Sequence, residues 1–91
     1  MRKIKFRGVN SLTGEYVYAE LGNIFMTCKG DKYYFGSDND VLPETVCQLV
    51  GNDIDGHEVY EGDNLINLAD GTTFKADMTY IYSVSYYRLA A

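Results

Sequence analysis

PETVCQLVGNDIDGHEVYEGDNL, residues 43–65, decides the fold of this chain. It joins two apolar runs, Val46-Cys47-Gln48-Leu49-Val50 and Asn64-Leu65-Ile66-Asn67-Leu68, through a segment rich in Gly and Asp. Runs of about five residues bounded by turn formers read as buried strands. Asn52-Asp53-Ile54-Asp55-Gly56 reads as a turn, because Asn and Asp side chains accept bonds from backbone two residues on and Gly tolerates positive φ. Pro43 has no N–H, so it opens a new element or lies at a sheet edge, and Pro43-Glu44-Thr45 is predicted as one helical turn. After the strand Glu58-Val59-Tyr60, Glu61-Gly62-Asp63 is predicted as a bend or bulge.

On the N-terminal side, residues 2–9 alternate, with Lys3, Lys5 and Arg7 on one face and Ile4 and Phe6 on the other. That period predicts a half-buried strand, returned through the turn Asn10–Gly14 by a second strand, Glu15–Leu21. Cross-strand pairing would bring Glu15 or Glu20 near the basic face. Gly22-Asn23 breaks the chain, Ile24–Cys28 is a short strand, Lys29-Gly30-Asp31 a turn, and Lys32–Phe35 pairs back. Residues 36–40 read as an exposed polar loop. On the C-terminal side, Asp70-Gly71 is a strong hairpin signal, followed by a returning strand from Thr72 to Lys75. Thr79–Tyr87 is predicted as the longest strand, with Tyr80, Tyr82, Val84 and Tyr86 on a core face and Ile81, Ser83, Ser85 and Tyr87 on the other.

About eight short strands with hardly any helix make a mostly β chain. With 91 residues it reads as one domain spanning 1–91. It would combine an N-terminal antiparallel meander (1–37) with an SH3-like, barrel-type C-terminal half (41–91), and any boundary would be the 36–43 loop. No apolar run approaches the roughly 18 residues a membrane helix needs. The basic N-terminus lacks the apolar block of a secretory signal. Cys28 and Cys47 read as free, buried thiols in a reducing compartment, with a disulfide open until their distance is known. Free strand edges lead us to expect a homo-oligomer.

The blocks Met1-Arg2-Lys3-Ile4-Lys5-Phe6-Arg7-Gly8, Thr13-Gly14-Glu15-Tyr16-Val17-Tyr18, Pro43-Glu44-Thr45-Val46-x-Gln48 and Gly56-x-Glu58-Val59-Tyr60-Glu61-Gly62-Asp63 resemble, in order and spacing, the YopX family of small bacteriophage and prophage proteins. The resemblance covers positions 1–65. Cys47 stands where the pattern has Gly, Leu49-Val50 where it has an aromatic and Thr, and the Gly51-to-Gly56 turn is one residue shorter. The resemblance implies a β-rich, phage-encoded accessory protein in the bacterial cytoplasm. It implies no activity, since the family has no settled biochemical role. The shared residues then read as fold-forming. Pro43 and Gly62 set the backbone, Val46 and Tyr60 supply core, and Glu61 and Asp63 cap turns.

Charge gives the functional reading. Eight of the 13 acidic residues lie between positions 38 and 63, where there is no Lys or Arg. An acidic surface repels phosphate backbones and attracts basic partners. We therefore expect a non-enzymatic protein-binding module that uses Asp38, Asp40, Asp53, Asp55, Glu58, Glu61 and Asp63 against a host protein with a basic surface. With the phage resemblance, the targets implied are host nucleic-acid-binding proteins, such as a defence nuclease of the CRISPR-effector kind or the transcription machinery. One alternative is a nucleic-acid-associated protein using Arg2, Lys3, Lys5 and Arg7 with the tyrosines as stacking surfaces. The second is a metal-dependent hydrolase built on the carboxylates.

Cofactor and metal signals are weak. An EF-hand loop around Gly56 would start at Gly51 and end at Gly62, and both are wrong. Asp53, Asp55 and Glu58 read as solvated turn carboxylates, and His57 as a surface residue. Cys28, Cys47 and His57 do not match zinc-ligand spacing. A glycosidase-type carboxylate pair would need a cleft. No cofactor is expected.

Overall fold

The expected first strand is formed over Lys5–Val9. β1 (Lys5–Val9) pairs antiparallel with β2 (Tyr16–Glu20), in a register that sets Lys5 opposite Glu20, Arg7 opposite Tyr18 and Val9 opposite Tyr16. The computed structural model describes residues 4–26, 32–36 and 39–90. The predicted Lys29-Gly30-Asp31 turn and Cys28 lie outside them. Asn10 organises the intervening turn. Its buried Oδ1 accepts from the N–H groups of Leu12 (2.8 Å) and Thr13 (3.2 Å), and Gly14 closes the turn with φ of 74°.

β3 (Ile24–Met26), β4 (Tyr33–Phe35) and β5 (Asn39–Val41) form an antiparallel sheet in that order. β5 corrects the expectation of a loop over 36–40. Its composition disfavours a strand, but tertiary contacts supply what propensity lacks. Asn10 Nδ2 donates to Asn39 Oδ1 (3.2 Å), the Ser11 N–H to the Asp40 carbonyl (2.8 Å), and Val41 is fully buried. Pro43–Thr45 is the expected single turn, a 3-10 turn with Pro at its start. The Thr45 hydroxyl donates to the Leu42 carbonyl and accepts from the Val9 N–H (2.9 Å), so this turn is stitched to β1.

Phe35, Val41 and Ala19 are the buried centre here, with Phe6, Val17, Ile24, Tyr33 and Val46 packed around them. Gly8 is required by that packing, since a Cβ there would overlap Cγ1 of Val41 and touch the Phe35 ring. Gly8→Ala is expected to cost about 1–3 kcal/mol by overpacking, read as a lowered urea midpoint.

The chain divides into two compact units, Met1–Cys47 and Gln48–Ala91. The division falls after Cys47 rather than in the 36–43 loop, because β5 and the Pro43–Thr45 turn are bonded into the N-terminal unit. β6 (Cys47–Asn52) starts at that border and pairs antiparallel with β7 (Glu58–Tyr60). The register shifts between Leu49 and Gly51, so the irregularity lies on β6. Glu61-Gly62 is a turn, with Gly62 at φ 89°.

β8 (Asn64–Ile66) pairs with β9 (Thr73–Lys75) through the expected Asp70-Gly71 turn, and with β10 (Arg88–Leu89) on its other side. Val50, Val59, Leu65, Ala76 and Val84 are the buried core of this unit. Phe74, Tyr80 and Tyr87 form an aromatic cluster on it, with ring centroids 4.9–6.0 Å apart in tilted and edge-to-face arrangements.

The predicted long strand over Thr79–Tyr87 is not formed. Met78–Tyr80 and Val84–Tyr86 are 3-10 turns. Asp77 starts the first of them by accepting from the Thr79 N–H at 2.8 Å, which a strand would not use. The structure is mostly β, with no helix of seven or more residues among the described residues. The described strands do not close into a barrel. The segment that would supply a long closing strand is wound into turns, and only two residues of β10 pair with β8. No helix among the described residues is long and apolar enough to cross a membrane.

Candidate functional site

Asp53, one of the predicted contact residues, points inward. It is 4% exposed. One carboxylate oxygen accepts from the N–H groups of Asp55 (3.0 Å) and His57 (2.8 Å), and the other from the N–H of Leu89 (2.8 Å). His57 Nδ1 lies 3.5 Å away. Burial alone would raise the Asp53 pKa, but the N–H groups of Leu89, His57 and Asp55 and the nearby imidazole together hold it below the usual carboxylate range. Asp53 therefore ties the 53–57 turn to β10. Two further links run the same way: the Ile54 N–H donates to the Tyr87 carbonyl (2.9 Å), and Arg88 Nε donates to Asp55 Oδ2 (2.8 Å).

Glu61 and Asp63 are also structural. Glu61 Oε1 accepts from the Gln48 N–H (2.8 Å), while the Glu61 N–H donates to the Gln48 carbonyl (3.0 Å). Asp63 Oδ2 accepts from the Tyr60 N–H (2.9 Å), and the Asp63 N–H returns to the Tyr60 carbonyl. Glu58 accepts from the hydroxyl of buried Tyr60 (3.0 Å). The turn-capping roles expected of Glu61 and Asp63 are thus present, as are the core positions of Tyr60 and Val46. Asp40 is half-buried in β5, in the N-terminal unit, and Asp38 lies outside the described residues. The described carboxylates of the C-terminal unit are thus largely engaged within the chain. Asp53, Glu61 and Asp63 have backbone partners, and Asp55 has Arg88.

Asp53, Asp55 and His57 can place one ligand atom each within 4.8 Å of one another. Both oxygens of Asp53 accept backbone bonds there, and these bonds account for the buried carboxylate. Cys47 is half-buried rather than buried, and its thiol donates weakly to the Thr45 carbonyl at 3.3 Å.

The basic strand carries its charge over rings. Arg7 stands above Tyr16 (4.6 Å to the centroid) and Lys5 above Tyr18 (5.3 Å). Glu20 is opposite Lys5, as cross-strand pairing predicted. An apolar groove of about 350 Å³ opens in the same unit, lined by Phe6, Leu21, Ile24, Met26, Tyr33 and Val46.

Two features escaped the sequence reading. First, the net charge is not spread over the molecule. The N-terminal unit holds six basic and six acidic residues, and the C-terminal unit holds seven acidic residues against Lys75 and Arg88 alone, so all of the −5 lies in the latter. Asp70 and Asp77 belong to it and are exposed. Hydrogen bonds from the Thr72 N–H and hydroxyl lower the Asp70 pKa, and those from the Thr79 hydroxyl and N–H lower that of Asp77. Second, Tyr82 and Tyr86 are 88% and 72% exposed, not core. The spacing of Tyr80, Val84 and Tyr87 (four, then three) was the signal of a wound backbone that turns those three inward and the other two tyrosines out.

Comparison of the chain with protein-family models, with curated proteins and with solved structures finds no match in any of the three.

Proposed function

We propose that this chain is a non-enzymatic protein-binding module whose acidic C-terminal unit docks on a basic surface of a partner protein. The observation that carries the reading is the charge partition, with the whole of the −5 confined to Gln48–Ala91. Such a field steers basic partners and repels nucleic acid. Basic surfaces of this kind commonly serve nucleic-acid-binding proteins, so the module would compete with their nucleic acid. The resemblance to the YopX family supports placing it as a phage-encoded accessory protein in the bacterial cytoplasm, modulating a host-defence nuclease or the transcription machinery. The internal bonds of Asp53, Glu61 and Asp63 refine the earlier contact set. They add to the potential, while exposed Asp70 and Asp77, together with Asp55, whose exposed pair with Arg88 a partner cation would replace, are the carboxylates presented to a partner.

The test is affinity capture from nuclease-treated bacterial lysate, comparing the wild type with Asp55→Asn/Asp70→Asn/Asp77→Asn. Asparagine keeps an acceptor oxygen for the local turn bonds and removes three charges. Nucleic-acid-binding proteins should be retained by the wild type at low salt and lost on the variant. They should also elute near 0.5 M salt, where screening acts over roughly 4 Å. Retention that survives both changes would reject the proposal.

A further inference from the structure

We propose that Tyr82 and Tyr86 are an aromatic docking pair for arginine side chains on that basic partner. The inference rests on the proposed function and names the contact residues it lacks. Tyr80, Tyr82, Tyr86 and Tyr87 share one short segment, yet they divide sharply. Tyr80 and Tyr87 pack with Phe74 on the core, while Tyr82 and Tyr86 stand out in solvent. The backbone between them is held by successive turn bonds, from Ser83 N–H to Tyr80 carbonyl (3.0 Å), Tyr86 N–H to Ser83 carbonyl (3.0 Å) and Tyr87 N–H to Val84 carbonyl (3.1 Å). The backbone beneath the two rings is held, and a tyrosine side chain has two rotatable angles to lose on binding, a low cost that makes it frequent among interface anchors.

Charge selects the occupant. The unit that carries these rings has seven carboxylates and two cations, and one of those cations, Arg88, is paired with Asp55. Nucleic-acid bases also stack on tyrosine, but their phosphates would approach this excess of negative charge. A cation over a tyrosine face gains from both the ring quadrupole and the surrounding field. Arginine is favoured over lysine because its planar guanidinium stacks on the ring and is less strongly hydrated. The same chemistry already operates inside the chain, where Arg7 lies over Tyr16.

Fluorescence anisotropy at low salt with labelled deca-arginine and deca-lysine tests the pair. The wild type should bind deca-arginine more tightly than deca-lysine. Tyr82→Ala/Tyr86→Ala should weaken deca-arginine about tenfold and leave deca-lysine within about twofold. Tyr82→Phe/Tyr86→Phe, which keeps both rings, should bind like the wild type. Both variants should keep the wild-type urea midpoint, because the side chains are exposed. Asp55→Asn/Asp70→Asn/Asp77→Asn should weaken both peptides together. Unchanged deca-arginine affinity in the alanine variant overturns the tyrosine pair while leaving the charge reading intact. Failure of the wild type to bind either peptide overturns the proposed function and this inference together. Oligo-thymidine binding that the alanine variant loses would assign the rings to nucleic acid instead.

Discussion

Asp53→Ala is expected to destabilise the protein by about 2–4 kcal/mol, measured by urea denaturation near neutral pH. The loss comes from three N–H groups left without their acceptor, two in the 53–57 turn and one on β10. The two turn N–H groups lie in an exposed segment and can recover water, so the Leu89 bond dominates. Asp53→Asn is expected to fare little better. One amide oxygen can serve one side of the carboxylate, but the amide nitrogen then opposes a backbone donor. Amide exchange should quicken most at Leu89 and in the turn. A stability change under about 0.5 kcal/mol would show that the carboxylate is not an anchor.

The same residue fixes a pH dependence. The Asp53 pKa is lowered in the folded chain, so the folded state binds fewer protons than the unfolded one. Its contribution is complete above the unfolded value of about 3.9 and is lost as the pH falls through the lower folded value. Wild-type stability should be level above about pH 5 and decline below pH 4, and Asp53→Ala should flatten that decline.

Phe35→Ala is expected to cost about 3–5 kcal/mol, enough to leave a small domain largely unfolded. Phe35 is 1% exposed and is the largest fully buried side chain among the described residues of the N-terminal unit. Val41 and Ala19 are buried with it and Phe6, Val17, Ile24, Tyr33 and Val46 pack around them, so removing the ring opens a void inside this cluster. Phe35→Leu should recover much of the loss. A midpoint for Phe35→Ala within experimental error of the wild type would mean that this cluster does not support the fold.

Local chemistry explains what the sequence disclosed. The β1–β2 hairpin, the Pro43 turn, the Asp70-Gly71 turn and the positive φ at Gly62 each follow from residues adjacent in the chain. β5 did not, because Asn39-Asp40-Val41 has little strand propensity and is held by pairing with β4 and by the bond from Asn10, 29 residues away, to Asn39. Thr79–Tyr87 misled because its alternation of Tyr with Ser imitates a strand, while the local signal, Asp77 two residues before Thr79, points to a turn start. The acidic cluster was visible as a count of charges. That Asp53 bonds Leu89, 36 positions away, was not, and it changes the residue from surface charge to internal anchor. The charge imbalance needed only the border after Cys47, which the sequence does not mark.

Loop length is the final consequence of the Asp53 anchor. Its carboxylate reaches Asp55, His57 and Leu89 at once because so few residues separate the first two. Lengthening that loop by a single residue is expected to weaken this set of bonds. The Asp70-Gly71 tip is different, because the Asp70 carboxylate accepts from Thr72, two residues on, and the tip is exposed. A fluorophore, an epitope or an inserted peptide belongs there, where the chain can be extended without disturbing the core.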